Sequence, residues 1–184
     1  MPRAAVFLDR DGTISEEVGY LNDVSHFRMF PFTAVAIRRL NDAKLPVIVI
    51  TNQSGVGRGF FPESLVQTIH ELMRKQLLEA GARVDAIYYC PHTVEYDCEC
   101  RKPNPGMLAQ AAREHDLDLH RSFVVGDRYG DVQAAHNAGA RGILLRTGYG
   151  ESELASDAKS WPAPPDLIAD DLGAAVDWIL RQLQ

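Results

Sequence analysis

The sequence predicts an α/β fold organised around one parallel sheet. Short β-rich apolar runs alternate with longer helical patterns along the chain, and carboxylates follow directly on two of these runs. Such alternation is typical of βαβ units, whose strands lie parallel to one another. The 184 residues, 46% of them hydrophobic, suffice for one domain with a substantial core, and we assign residues 1–184 to it.

The elements follow from local patterns along the chain. Strands are predicted at the apolar runs, residues 4–8, 47–50, 86–89, 122–125 and 142–145. Helices are predicted where apolar side chains recur at helical spacing, at about residues 32–43, 62–80, 106–114, 129–137 and 172–183. The second helix has the clearest pattern, because its apolar side chains share one face while polar ones such as His70 fall largely elsewhere, and Gly81 ends it. In the last helix, an apolar stripe from Leu172 to Leu183 should dock on the sheet.

Residues 151–171 are predicted to form an irregular surface strap. Their composition shifts to Ser, Ala, Asp and Pro, and Pro162-Ala163-Pro164-Pro165 is too stiff and too poor in backbone donors for regular structure. The interval between Gly12 and Val47 has room for only one loop and one helix. We therefore expect neither a large cap over the sheet nor a second domain.

Composition favours a small-molecule substrate. Nineteen Lys and Arg residues against 25 Asp and Glu give a net charge of −6, which disfavours extended binding to nucleic acid or to an anionic membrane. The first apolar run is too short for a signal peptide, and no stretch approaches the roughly 18 apolar residues of a membrane-spanning helix. We expect a cytoplasmic protein without nucleic-acid or membrane partners, and a monomer.

Two carboxylates one residue apart, Asp9 and Asp11, follow the first strand. In a parallel sheet, ligands bind beyond the carboxyl ends of the strands. Gly12 would allow a sharp turn and a close approach to an anion there, so both carboxylates are predicted to face a phosphate-sized space. The alternative interpretation of this segment is an acidic turn without chemistry.

Three later segments would bring further polar groups to the same edge. Thr51-Asn52-Gln53-Ser54-Gly55 supplies a hydroxyl and backbone donors suited to phosphate, although a flexible turn or a dinucleotide loop are the alternatives. Arg101-Lys102 supplies two cations that suit phosphate but that, in a loop, are often merely solvated. Asp127 and Asp131 follow the fourth strand and offer Mg²⁺ the oxygen ligands it prefers; for Asp131, a carboxylate at a helix start is an equal alternative.

All three cysteines lie in one short segment, which makes a disulfide framework improbable. Cys90, His92, Cys98 and Cys100 supply the four N and S ligands of a closed structural zinc site. Buried structural cysteines are the alternative, but the neighbouring residues are polar. Because Cys100 adjoins Arg101, a folded zinc loop would fix where Arg101 and Lys102 point.

These segments, taken in order, resemble the four motifs of the haloacid dehalogenase superfamily of phosphotransferases. The matching residues are Asp9-Arg10-Asp11-Gly12-Thr13, Thr51-Asn52-Gln53, Lys102 and Gly126-Asp127 through Asp131, and the resemblance spans about residues 5–146. It implies a three-layer, Rossmann-like parallel sheet in strand order 5-4-1-2-3, here without a cap. The first and fourth strands would then lie side by side at the switch point.

The resemblance also implies roles for individual residues. Asp9 would attack phosphorus and form an aspartyl-phosphate, and Asp11 would act as general acid and then general base. Thr51 and Lys102 would stabilise the transferred phosphoryl group. Catalytic Mg²⁺ would be held by Asp9, Asp127 and the backbone carbonyl of Asp11.

The predicted zinc loop ahead of Arg101 narrows the resemblance to the zinc-containing histidinol-phosphatase-like family. We expect a phosphatase of a heptose bisphosphate that serves the making of nucleotide-activated heptose for surface polysaccharide. Histidinol-phosphate phosphatase is the alternative, which an acidic pocket built from Glu16 and Glu17 would favour. A nucleic-acid end phosphatase and a non-catalytic zinc module are further alternatives.

Family members imply a set of substrate contacts. Arg101 would lie beside the sugar and its second phosphate. Arg128 stands where well-known members carry lysine, which keeps the charge but changes the geometry. The full set is Arg10, Glu17, Val18, Gly19, Tyr20, Asn52, Gln53, Ser54, Arg101 and Arg128.

Overall fold

A six-stranded, wholly parallel sheet forms the centre of the structure. The computed structural model describes residues 2–183. Its strands are β1 (Val6–Leu8), β2 (Val47–Asn52), β3 (Ala86–Cys90), β4 (Phe123–Gly126), β5 (Arg141–Leu145) and β6 (Leu167–Ala169). They are hydrogen-bonded in the order β3-β2-β1-β4-β5-β6. The predicted order 5-4-1-2-3 is confirmed for the first five strands.

The five predicted helices are confirmed, and two shorter ones add to them. The helices are α1 (Thr33–Asp42), α2 (Ser54–Gly57), α3 (Glu63–Glu79), α4 (Gly106–His115), α5 (Tyr129–Asn137), α6 (Gly150–Ser156) and α7 (Leu172–Gln182). Of these, α2 lies in the glycine-rich loop and α6 in the predicted strap. Gly81 follows the end of α3 with φ +75°, a conformation that glycine adopts without steric cost.

Two apolar clusters, one on each face of the sheet, produce the predicted three layers. Side chains alternate along β1, so that Val6 and Leu8 join one cluster and Phe7 joins the other. The first cluster contains buried residues of α1, α3 and α7, and the second contains buried residues of α4 and α5. The stripe of α7 docks as predicted, with Leu172, Val176 and Ile179 fully buried.

The prediction of an irregular strap at residues 151–171 was wrong at both ends. The segment includes most of α6, and it contributes β6, whose Leu167 pairs with Ile143 of β5. Between them lie a 3₁₀ turn at Ala158–Ser160 and the proline-rich stretch, which has no regular structure, as its missing backbone donors require. A three-residue edge strand is too short to show a hydrophobic period, so the sequence pattern did not reveal it.

Aromatic packing holds the strap against α5. Trp161 stacks on Tyr129 with ring centroids 4.4 Å apart, and the Tyr129 hydroxyl donates to the carbonyl of Ala163 at 2.7 Å. At the entry to β6, Asp166 accepts a hydrogen bond from the backbone N–H of Gly142 at 2.7 Å. Helix α6 is thereby kept at the carboxyl edge of the sheet, beside the site described next.

Among residues 2–183, no helix combines the length and the apolar character needed to cross a membrane.

Candidate active site

Three buried carboxylates meet at the carboxyl edge, where β1 and β4 are neighbours. Asp9 follows β1, Asp127 follows β4, and Asp131 lies in the first turn of α5. One oxygen from each lies within 4.8 Å of the others. Burial raises the pKa of Asp9 to about 7 against the opposing charge of Lys102, and burial with the carboxylates of Asp9 and Asp131 raises the pKa of Asp127 to about 9. Bringing three ionised carboxylates together here therefore requires a compensating cation.

The oxygens of Asp127 fit a hard cation such as Mg²⁺. Oδ2 accepts a hydrogen bond from the backbone N–H of Tyr149 at 2.8 Å. Oδ1 is buried and has no hydrogen-bond partner among the described residues. A buried carboxylate oxygen left without a donor is costly unless a cation binds it. The donor set is the hard-oxygen type that Mg²⁺ prefers.

The backbone around Asp127 is shaped by glycines. Gly12 has φ +80° and Gly148 has φ +55°, and a Cβ at either position would collide with the Asp127 side chain. The Thr147 hydroxyl donates to the Gly12 carbonyl at 2.6 Å and ties the two turns together. The sequence interpretation missed this loop after β5. Its signal was the pair Gly148 and Gly150 at the end of a strand that points to the same edge.

Lys102 supplies positive charge beside the nucleophile candidate. Its Nζ is buried and lies 3.0 Å from Asp9 Oδ1 and 2.6 Å from Asp131 Oδ1. Burial alone would lower the pKa of Lys102, but the carboxylates of Asp131 and Asp9 raise it above its usual value, so the ammonium stays charged.

Asp131 is both a helix-start carboxylate and part of the charged centre. Its Oδ2 accepts from the backbone N–H of Arg128 at 3.1 Å, while Oδ1 holds Lys102. The helix-start alternative given by the sequence is therefore present in the structure, and the other oxygen of Asp131 is paired with Lys102.

Thr51, Asn52 and Gln53 are brought together at the end of β2, each with a different set of contacts. The Gln53 amide donates at 2.9 Å both to Asp11 Oδ2 and to the Thr51 hydroxyl. The Asn52 side chain forms two hydrogen bonds with the backbone of Lys102, both at 3.1 Å. Asn52 thus fixes the loop that carries Lys102.

Arg10 does not line the cavity, which contradicts its prediction as a substrate contact. Only 1% of the residue is exposed, and its guanidinium is bonded to Asp11 and to His70. The guanidinium is held against the Asp11 carboxylate and His70, and it is not part of the cavity wall. His70 was also misjudged: it was placed with the polar side chains of α3, yet it is 7% exposed and contacts Arg10.

A cavity of about 470 Å³ opens over Asp9, Asp11 and Asp131, whereas the buried Asp127 lies outside its wall. Val18 is exposed and lies outside its wall. The predicted catalytic and substrate-binding residues that do line the cavity are Asp9, Asp11, Glu17, Gly19, Tyr20, Thr51, Asn52, Gln53, Ser54, Arg101, Lys102 and Arg128.

Arg58, Tyr149 and Glu153 also line the cavity, although the sequence did not single them out. Arg128 lies between the last two, with its guanidinium carbon 3.8 Å from the Tyr149 ring centroid and Nη1 3.8 Å from Glu153 Oε1. Arg58 belongs to the glycine-rich loop, which the sequence pattern marks by its glycines and backbone donors and not by this cation. Tyr149 and Glu153 come from the segment of α6, which the sequence did not show to be ordered.

The cysteine and histidine side chains form a tight cluster beside this cavity. Cys90 Sγ is 3.0 Å from Cys100 Sγ and 3.5 Å from Cys98 Sγ, and Cys98 and Cys100 are 3.3 Å apart. His92 Nδ1 lies 3.4 Å from Cys100 Sγ and 3.6 Å from Cys90 Sγ. A tetrahedral ion with metal–sulfur bonds of about 2.3 Å needs sulfurs about 3.8 Å apart, so a small expansion would admit it.

The cluster is tied to two loops of the cavity. Arg101 Nη1 donates to the carbonyl of His92 at 3.3 Å. The backbone N–H of Gly57 donates to the carbonyl of Pro91 at 2.9 Å, and a Cβ at Gly57 would crowd that oxygen. The loops that carry Arg58 and Arg101 are therefore anchored to the same segment, which also carries Cys90 and His92.

Comparison with known proteins identifies the family. A D-glycero-D-manno-heptose-1,7-bisphosphate 7-phosphatase of Thermosynechococcus vestitus is 43% identical over 194 residues, covering 100% of this chain and 98% of that protein. The chain belongs to the D-glycero-D-manno-heptose-1,7-bisphosphate 7-phosphatase family. A family model described as HAD-hydrolase-like matches residues 99–175. The predicted superfamily and family are thus confirmed.

Two further members of the heptose-bisphosphate phosphatase family agree over almost the full length. The D-glycero-beta-D-manno-heptose-1,7-bisphosphate 7-phosphatase of Pseudomonas aeruginosa is 37% identical and covers 98% of this chain and 100% of its own. The crystal structure of D,D-heptose 1,7-bisphosphate phosphatase from B. bronchiseptica, complexed with magnesium and phosphate, has a TM-score of 0.89 and 36% identity. It covers 97% of this chain and 99% of that chain.

Asp127→Asn should raise the melting temperature of the metal-free protein at pH 8 while abolishing its stabilisation by Mg²⁺. The folded-state pKa of Asp127, about 9, lies above the unfolded value, so ionisation of this group costs stability as pH rises from about 4 towards 9. The amide removes that charge and keeps an oxygen for Tyr149. We expect a rise of about 2–4 °C, the shift that about 1 kcal/mol produces in a chain of this size.

Differential scanning calorimetry with and without Mg²⁺ measures both effects. Asp131→Asn is the matched control: it removes a carboxylate that is paired with Lys102 and should lower the melting temperature. A fall for Asp127→Asn without metal would contradict the repulsion argument.

Proposed function

We propose that the protein is a magnesium-dependent phosphatase that hydrolyses the 7-phosphate of D-glycero-D-manno-heptose 1,7-bisphosphate. The observation that carries the proposal is Lys102 Nζ lying 3.0 Å from Asp9 Oδ1, in a group of three buried carboxylates with Asp127 and Asp131, at a cavity with three arginines in its wall. The names of the relatives at 37–43% identity supply the substrate.

Asp9 is the proposed nucleophile. Its carboxylate oxygen attacks phosphorus in line, the bond from phosphorus to the sugar oxygen breaks, and Asp11 donates a proton to that leaving oxygen. Water then attacks the aspartyl-phosphate, Asp11 accepts its proton, and inorganic phosphate and free Asp9 result. Dividing the hydrolysis in this way replaces one difficult step by two easier ones.

Mg²⁺ would be held by Asp9, Asp127 and the backbone carbonyl of Asp11. When bound, it neutralises charge between the anionic nucleophile and the anionic phosphate. Lys102 and Thr51 stabilise the phosphoryl group in transfer, and Lys102 is prepared for this because its ammonium is held against Asp9.

The charges of the cavity wall favour a second phosphate over a cationic substrate. Arg58, Arg101 and Arg128 face Glu17 and Glu153, and Glu153 is engaged with Arg128. A guanidinium binds phosphate bidentately, whereas the amine of histidinol phosphate would meet these like charges. A volume of about 470 Å³ is also sufficient for a heptose with two phosphates.

Zinc is the proposed occupant of the cysteine and histidine cluster. Four protein ligands leave no position for water, so the site is structural. Its contribution to catalysis is indirect, through the loops of Arg58 and Arg101 that are anchored to it.

We also propose a cytoplasmic location, in the making of nucleotide-activated heptose for surface polysaccharide. None of the three cysteines forms a disulfide among the described residues, which suits a reducing compartment.

Initial rates of phosphate release test the proposed activity. We expect kcat/KM for heptose 1,7-bisphosphate to exceed that for histidinol phosphate and for a 3′-phosphorylated oligonucleotide. Asp9→Asn should abolish release on every substrate, because an amide cannot form the acyl-phosphate. Release of phosphate by folded Asp9→Asn protein would exclude the nucleophile, and a preference for histidinol phosphate would exclude the substrate.

Arg101→Ala and Lys102→Ala should affect contacts with different parts of the substrate, the distal groups and the reacting phosphoryl group respectively. Loss of the Arg101 guanidinium should lower kcat/KM for heptose bisphosphate by about 10- to 100-fold, as expected for one charge-assisted hydrogen bond, and should spare a generic phosphomonoester that lacks distal groups. Lys102→Ala should reduce both substrates by a similar factor, because every substrate carries the reacting phosphoryl group. Equal losses for Arg101→Ala would place this residue at the reacting phosphate.

Purified protein should contain about one zinc per chain, retained at EDTA concentrations that strip Mg²⁺ and stop catalysis. Cys98→Ser should loosen zinc and reduce activity on heptose bisphosphate. Asp97→Asn is the matched control, because Asp97 is a neighbouring non-ligand in the left-handed region, which asparagine tolerates. Mass spectrometry measures the zinc content of each variant. Fully active protein without zinc would refute the assignment of zinc to this cluster.

A further inference from the structure

A buried pair of side chains, Arg10 and His70, lies behind the site and has no part in the mechanism above. Arg10 reaches Asp11 with two parallel hydrogen bonds, Nε to Oδ1 at 3.1 Å and Nη2 to Oδ2 at 2.8 Å. On its other side, Nη1 lies 3.1 Å from His70 Nε2. A continuous chain of contacts therefore joins α3 to the general acid.

The chemistry of the side chains determines which of them donates each hydrogen bond. A guanidinium can only donate hydrogen bonds, so His70 Nε2 is the acceptor and the imidazole is neutral. Burial and the charge of Arg10 lower the pKa of His70 to about 3, which agrees with a neutral ring at physiological pH. The ring also packs edge-on against Tyr89, with centroids 5.7 Å apart, and this contact fixes its orientation.

Arg10 depends on these acceptors because its charge is removed from water. A buried guanidinium is costly wherever one of its N–H groups lacks a partner. Without the acceptor at His70, the favourable response is a turn of the guanidinium towards other oxygens. Such a turn would break the parallel grip on Asp11, which then keeps only the single donor of Gln53.

We propose that His70 is a positioning residue, which holds Arg10 so that Asp11 is aimed at the leaving oxygen of the substrate. The inference rests on the proposed function, in which Asp11 protonates that oxygen. A general acid must lie within hydrogen-bond reach of the atom it protonates, and a displacement of about 1 Å can cost about 100-fold in rate.

The test compares leaving groups that differ in their need for a proton. A sugar alkoxide must be protonated as it departs, whereas p-nitrophenolate is a stable anion that departs with little need for proton donation. His70→Leu removes the acceptor at similar size. We expect it to slow first-turnover release of heptose 1-phosphate by about 10- to 100-fold, while the substrate concentration at half-saturation stays within about twofold of that of the unsubstituted protein. Release of p-nitrophenol from p-nitrophenyl phosphate should slow by less than about threefold.

Two further substitutions separate positioning from packing. His70→Gln offers a carbonyl oxygen to Arg10 and should restore most of the rate lost in the leucine variant. Tyr89→Phe keeps the ring against His70 and should leave both substrates unaffected. If His70→Leu does not fold, Arg10→Lys, which keeps the charge but not the parallel grip, should show the same selective loss.

Asp11→Asn supplies the benchmark that separates this inference from the proposed function. It should show the same dependence on the leaving group, more strongly. If Asp11→Asn slows both first-turnover releases equally, the acid role fails, and with it the mechanism. If Asp11→Asn is selective but His70→Leu slows both substrates equally, or if the leucine and glutamine variants are alike, His70 is a packing residue and the inference is overturned.

Discussion

Burial of negative charge at the carboxyl end of the sheet is the constraint on which the site depends. Asp9, Asp127 and Asp131 have less than a tenth of their surface exposed, and their oxygens are within 4.8 Å of one another. Lys102 is shared between two of them, and one oxygen of Asp127 is left for a metal. Such a group of charges is stable only when every compensating partner is in place, so the surrounding loops are held to it by specific bonds.

Most of the fold was predictable because the signals were long. Five helices show a clear period, and each of the first five strands is a compact apolar run. The carboxylates of the candidate site were predictable because residues that end parallel strands must gather at one edge. Strand β6 carries three residues and α6 seven, which is too little for a period to be distinguished.

The errors inside the site came from considering motifs without their geometry. Arg10 was grouped with its neighbours in the motif as a substrate contact, whereas its buried guanidinium is taken up by Asp11 and His70. His70 was judged by its polarity, but its burial is compensated by a hydrogen-bond partner on another element, the Arg10 guanidinium. That partner was not visible in the periodicity of α3. Arg58, Tyr149 and Glu153 reach the cavity by tertiary contacts of short segments, for which a single sequence carries no pattern.

The loop after β5 closes directly on the acidic centre. Thr147 bonds to the carbonyl of Gly12, and the backbone of Tyr149 bonds to Asp127. If Asp127 holds Mg²⁺ as proposed, binding of the ion to the closed loop would stabilise that form by mass action. Local opening of the loop would then be thermodynamically coupled to release of the cation, and the amide hydrogen exchange of Tyr149 would report the free metal concentration. The order of this edge of the sheet would in that case depend on the amount of metal available.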